Sequence, residues 1–206
     1  MSKVSLSLSR EQKKDVIKVA FILLAICAAC ALALSLVNEI TRARIEDQRK
    51  IAFEQAMNYV LPAEAYDHVD ISAIELDKSV SEVYEAKDSD GTPLGYCVKS
   101  APLGFAGEVQ IVVGIDNDDK ITRVDIVSMS ETPGLGTKAK DEKFLSQYAG
   151  KAGIITVVKG EASAEENEIS AITGATVTSK AVTSGVQAAL DAVALIKGGA
   201  SNAQSQ

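Results

Sequence analysis

The stretch Val19–Val37, VAFILLAICAACALALSLV, contains no charged side chain. As a helix rising 1.5 Å per residue it would extend roughly 28 Å, about the thickness of a bilayer's hydrocarbon core. A run this long and apolar must satisfy its backbone groups internally and needs apolar surroundings. A cleaved signal peptide is the alternative, because Ala31-Leu32-Ala33 has the small-x-small pattern of a cleavage site. The run is too long for a typical signal core, so we read an uncleaved anchor. A lipoprotein site fits less well, since Ile26 stands before Cys27 where a small residue is needed. Helical patterning continues through NEITRARIEDQRKIAFEQAMNYV to Leu61, and Pro62 stops it. The expected organisation is an N-terminal segment 1–18, a transmembrane helix 19–37, a helical linker 38–61, a domain 62–198 and a polar tail 199–206. Lys3, Arg10, Lys13, Lys14 and Lys18 slightly outweigh Arg42, Arg44, Arg49 and Lys50, which favours a cytoplasmic N-terminus and a single-pass chain with its domain on the far side of the inner membrane.

With 206 residues, the chain has room for one ordinary domain besides the anchor. Its 28 acidic against 21 basic residues leave a net charge of −7, which argues against nucleic acid and against docking flat on anionic lipid. Cys27 and Cys30 lie one helical turn apart inside the apolar run and read as small packing residues rather than a redox or metal pair. Cys97 stands alone in an expected strand, and no disulfide follows from this set. The single His68 is placed near a turn, at the surface, with no metal-binding spacing around it.

After Pro62 the pattern becomes strand-like. SEVYEAKD (81–88) alternates around Val83, and Asp90-Gly91 is a hairpin signal leading into LGYCVKSA (94–101). The glycine-bearing loop PLGFAGE leads to VQIVVGID (109–116), and ITRVDIVSMS (121–130) returns after the turn NDDK. This predicts an antiparallel meander of at least four strands. A short helix over 141–150, with Gly150 as its C-cap, a strand over 153–158 and a last helix ending at Gly198-Gly199 complete the pattern. The fold class expected is α+β, a single N-terminal transmembrane helix followed by an antiparallel sheet with flanking helices.

Phosphate-loop, dinucleotide, nucleophile-elbow and metal-cluster signatures are absent from the sequence. Redox chemistry here would therefore require a bound cofactor. Two stretches carry chemistry of their own. In AITGATVTSK (171–180), Gly174 permits close backbone approach and Ala175 leaves the turn uncrowded, while Thr176, Thr178 and Ser179 open a helix whose free N–H groups favour an anion. Plain N-capping by one of these hydroxyls would account for the same residues. In ETPGLGTK (131–138), Pro133, Gly134 and Gly136 make a tight loop that exposes Leu135, and a simple connecting turn would look alike.

Together and in this order, ETPGLGTK and ITGATVTS resemble the FMN-binding domain family, as does the strand pair GEVQIVVGIDNDDKITRVDIVSMS that precedes them. The resemblance implies FMN joined by a phosphoester to Thr176, the last residue of Thr173-Gly174-Ala175-Thr176, with Thr178 in the same turn. It places Glu131, Thr132, Leu135 and Gly136 beside the isoalloxazine and gives Lys138 to the phosphate or to solvent. The family commonly has Asp six residues before the modified Thr; this chain has Ser170 there, with Glu168 nearby. With its one anchor the chain most resembles G subunits of Rnf complexes, which couple ferredoxin:NAD electron transfer to Na⁺ or H⁺ translocation. The C subunits of Na⁺-translocating NADH:quinone reductase are the related alternative, and a non-redox anion-binding domain is the alternative of another class. The implied partners are the other Rnf subunits in the membrane and a flavin transferase for maturation. Direct binding of NAD or ferredoxin is not expected, nor is catalysis by this subunit alone.

Overall fold

The apolar run lies within a helix, α1, that extends from Arg10 to Val60. The computed structural model describes residues 10–72, 74–163 and 166–203. Lys3, in the N-terminal segment, and the last residues of the polar tail, 204–206, fall outside them. Val19–Val37 is exposed throughout, and α1 alone among the described residues is long and apolar enough to cross a membrane. The chain divides into a unit ending at Arg49 and another beginning at Lys50.

The second unit is built on a five-stranded antiparallel sheet in chain order: β1 (Ala65–Val69), β2 (Val80–Lys87), β3 (Pro93–Ser100), β4 (Val109–Asp116) and β5 (Ile121–Met129). Register aligns Val69, Val83, Val98, Val113 and Val124 in one row across all the strands. β-Branched side chains suit this pleated surface, and the row forms part of one buried face. Helix α3 (Thr176–Ala203) covers that face with Val182, Val186, Ala189 and Val193. The opposite face carries Ala86, Cys97 and Val112 beneath Phe53, Met57 and Val60, the last turns of α1. Covered on both sides, the interior strand β4 reads as a continuous apolar run rather than an alternation. Thr122 Oγ1 donates to Val60 O at 2.5 Å, tying the end of α1 to β5.

Several local expectations are modified. β1 was not anticipated, and it holds His68 on an exposed strand with its ring edge-on to Tyr84 at 5.2 Å, rather than near a turn. The expected helix over 141–150 is one α-turn, α2 (Glu142–Leu145), continued as a 3₁₀ turn through Tyr148, and Gly150 follows with φ +76°. The strand expected over 153–158 shortens to β6 (Thr156–Val158), which pairs in parallel with β7 (Glu168–Ser170) in the acidic stretch. α3 passes through Gly198-Gly199 and ends at Ala203. Glycine costs a helix only about 1 kcal/mol relative to alanine, which weakens a stop signal without imposing one.

Candidate functional site

The chain leaves β5 at Met129 and turns sharply at Thr132, whose carbonyl accepts from Leu135 N–H at 3.2 Å and Thr137 N–H at 3.4 Å. Gly134, with φ +76°, donates its N–H to Thr137 Oγ1 at 2.9 Å. The loop then tightens into a 3₁₀ turn, Gly136–Lys140. Glu131 points inward and is only 6% exposed. Its Oε2 accepts from Thr178 Oγ1 at 2.7 Å, and its Oε1 accepts from the backbone N–H groups of Phe105 at 2.7 Å and Ala106 at 3.2 Å. Such a set of donors compensates the cost of taking a carboxylate out of water. A Cβ at Gly136 would stand 2.6 Å from Glu131 Oε2 and 2.9 Å from Thr178 Oγ1, so the loop passes this carboxylate only as glycine.

The second loop closes when Ala175 N–H donates to Ile172 O at 2.9 Å across Gly174, whose φ is +80°. A Cβ at Gly174 would lie 3.2 Å from Leu135 Cδ2, a measure of how closely the two loops approach. α3 begins at Thr176, immediately after Ala175, which has no side-chain oxygen to act as a cap. Ser179 Oγ accepts from Ile172 N–H and donates to Ala175 O, both at 3.0 Å, while Thr178 is committed to Glu131. Among the described residues no side chain accepts from the N–H groups of Thr176, Val177 or Thr178, so the hydroxyls do not act as the plain cap that the sequence also allowed. Thr176 itself is half-buried. Below this turn, Tyr148 OH bonds Thr183 Oγ1 at 2.7 Å, and Thr183 Oγ1 donates to Ser179 O at 3.0 Å. Burial pushes the Tyr148 phenol well above its usual range.

Between the loops lies an open cavity of about 370 Å³, lined on its apolar side by Phe105, Leu135 and Val177. These side chains remain 71%, 43% and 54% exposed, an apolar rim around a polar floor. The structure brings Glu131, Thr132, Leu135 and Gly136 to this cavity together with Gly174, Ala175, Thr176 and Thr178. Thr173 and Lys138 line instead a neighbouring depression of about 860 Å³, with Asp141, Lys143 and Ser170. Ser170 is held there by Gln147 Oε1, which accepts its N–H at 2.7 Å, and its hydroxyl donates to Gly160 O. Glu168 uses its carboxylate to accept Ser163 N–H at 3.0 Å. Phe105 and Val177 escaped the sequence reading. The signal for Phe105 was an aromatic side chain between glycines in PLGFAGE, in a chain with only 4 Phe.

Residues 104–191 match the FMN-binding domain family, and residues 1–60 match the RnfG N-terminal region. The chain is 41% identical over 186 residues to the G subunit of the Na⁺-translocating ferredoxin:NAD⁺ oxidoreductase complex of Acetobacterium woodii, covering 84% of this chain and 89% of that one. It is 30% identical over 189 residues to the G subunit of the ion-translocating oxidoreductase complex of Methanosarcina acetivorans, covering 90% of this chain and 98% of that one. Among solved structures, the C subunit of the Na⁺-translocating NADH-quinone reductase of Parabacteroides distasonis aligns with a TM-score of 0.48 at 25% identity, over 65% of this chain and 76% of that one.

Proposed function

Because the chain belongs to the G subunits of ion-translocating ferredoxin:NAD oxidoreductase (Rnf) complexes and contains their FMN-binding domain, we propose that it carries one FMN, esterified to Thr176, as an electron relay within such a complex. The observation that carries this reading is the position of Thr176. It is the first residue of α3 and opens onto the cavity, while the neighbouring hydroxyls of Thr178 and Ser179 are engaged within the protein. The residues present fit the group. Phe105, Leu135 and Val177 offer apolar surface to a flat ring system, and the uncapped start of α3 offers N–H donors to a phosphodiester's remaining charge. Gly174 and Ala175 keep the phosphate end uncrowded.

When bound, FMN supplies reversible electron uptake, and the protein supplies attachment, orientation and a partly water-shielded ring environment. Thr176 Oγ1 would hold the flavin phosphate as an ester. With FAD as donor on a flavin transferase, the new P–O bond would replace the anhydride bond, AMP would be the leaving group and the hydroxyl proton would be released. Covalent attachment suits a carrier that must not lose its cofactor between turnovers. In this reading α1 anchors the subunit in the membrane, and the slight excess of basic residues before Val19 over those just after Val37 favours an extracytoplasmic domain. The coupling of ferredoxin:NAD electron transfer to Na⁺ or H⁺ movement belongs to the whole complex in this reading, with electrons entering and leaving through other subunits.

Thr176→Val tests the assignment, since it removes the hydroxyl at nearly constant volume. In cells with a competent flavin transferase, the variant should fold as the wild type does yet show no flavin fluorescence on a denaturing gel. Peptide mapping that locates the flavin on Thr173 or Thr178 would overturn the assignment, as would a wild-type chain free of covalent flavin.

A further inference from the structure

Phe105 is 71% exposed, although the backbone beneath it is anchored by the buried carboxylate of Glu131. An exposed aromatic ring on a free loop needs no explanation, but this loop is not free. Glu131 Oε1 accepts from both Phe105 N–H and Ala106 N–H, while Gly104 N–H donates to Gly107 O at 2.8 Å and closes the turn from the other side. A Cβ at Gly104 would collide with the Glu131 carboxylate and would stand 2.9 Å from Val109 Cγ2, so the turn is seated directly on that group. The other carboxylate oxygen accepts from Thr178 in the first turn of α3. One carboxylate therefore ties the Phe105 turn to the helix that begins at Thr176, with Leu135 on the loop that leaves Glu131.

We propose that Phe105 is a wall of the flavin slot together with Leu135, and that Glu131 is the positioning residue that fixes this wall relative to Thr176. The inference rests on FMN attachment at Thr176. The ester tethers only the phosphate end, leaving the isoalloxazine at the end of a flexible ribityl chain, and an apolar wall held by two backbone hydrogen bonds limits where the ring can settle. The Glu131 carboxylate accepts from Phe105, Ala106 and Thr178, so its role in this proposal is to place the wall.

An indole within van der Waals distance of a flavin quenches its emission by electron transfer, whereas phenylalanine does not. Phe105→Trp in the full-length chain, purified in detergent after maturation by a flavin transferase, should keep its covalent flavin and show an emission lifetime several-fold shorter than wild type. Phe105→Tyr, which adds a single hydroxyl, is the gentler variant and should shorten the lifetime in the same direction. Leu103→Trp, at a neighbouring exposed position outside the cavity, should leave it nearly unchanged. Glu131→Gln combined with Phe105→Trp should restore a long-lived component, because the amide no longer offers acceptors on both sides and the wall loosens. An unchanged lifetime in flavin-bearing Phe105→Trp and Phe105→Tyr overturns the wall, and a uniformly short lifetime in the double variant overturns the clamp. A wild-type chain without flavin would defeat the Thr176 assignment itself, a result read from the gel before any lifetime is measured.

Discussion

Leu135 separates holding the cofactor from tuning it. Its side chain lines the cavity and comes close to Gly174, but attachment resides in Thr176 under the function proposed. An apolar neighbour disfavours the added negative charge of a reduced flavin ring, which lowers the reduction potential relative to a wetter site. Leu135→Ser should therefore retain stoichiometric flavin and raise its potential. A polarity change worth about 1 kcal/mol corresponds to about 40 mV for one electron or about 20 mV for two, so the expected shift is a few tens of millivolts. A redox titration followed by visible absorbance checks this. An unchanged potential would place the Leu135 loop away from the ring, and loss of flavin would make the side chain part of the attachment machinery.

α3 connects the site to the core, and its N-terminal turn is held from below by the chain Tyr148–Thr183–Ser179. Tyr148→Phe removes one buried hydrogen bond but leaves Thr183 bonded to Ser179 O, so it should cost about 1 kcal/mol, seen as a lower urea midpoint with an unchanged slope. A loss much greater than this would mean that Tyr148 also supports α3 through packing the phenyl ring cannot maintain. The elements visible in the sequence are those with strong one-sided or two-sided burial. β4 was delimited correctly at Val109–Asp116, because burial on both faces makes its apolar run unmistakable. β1 was missed because Asp67 and His68 are exposed and the strand sits at a sheet edge, where no alternation is required. β7 was missed because Ile169 is its only fully buried residue, within an acidic stretch. Both chemistry-bearing loops were legible from glycine and hydroxyl spacing, and their convergence on one cavity depended on the family pattern. The separation of Lys138 from Thr176 could not be read locally, since the 3₁₀ turn after Leu135 turns that side chain to the neighbouring depression. Nor could the place of Phe105, which depends on a hydrogen bond to a residue far along the chain.

For the molecule as a whole, buried acids should make stability fall at alkaline pH. Burial pushes the Cys97 thiol from its usual 9.0 to about 12, and the Tyr148 phenol is also raised from 10.0. Both folded values exceed the unfolded ones, so their contribution is fully present below the unfolded values and is lost with rising pH as the unfolded chain gives up its protons first. Urea midpoints should hold near neutrality, fall from about pH 9 and steepen above about pH 10, each group adding a slope of at most about 1.4 kcal/mol per pH unit. Cys97→Ala should remove the first part of that fall, and an unaltered profile would locate the alkaline loss elsewhere. The organisation of the chain yields a final test. Lys50 begins the second compact unit, and Phe53, Met57 and Val60 cover Ala86, Cys97 and Val112 on the sheet. A chain of residues 39–206 keeps that cover, so it should be soluble without detergent and accept flavin from the transferase. A chain of residues 62–206 has lost it and exposes an apolar sheet face, which should drive association. Size-exclusion chromatography with in-gel flavin fluorescence compares the two directly. Aggregation or failed flavinylation of the longer fragment would show that the anchor is needed for the domain to fold. Equal behaviour of both fragments would show instead that the end of α1 contributes nothing essential to the core.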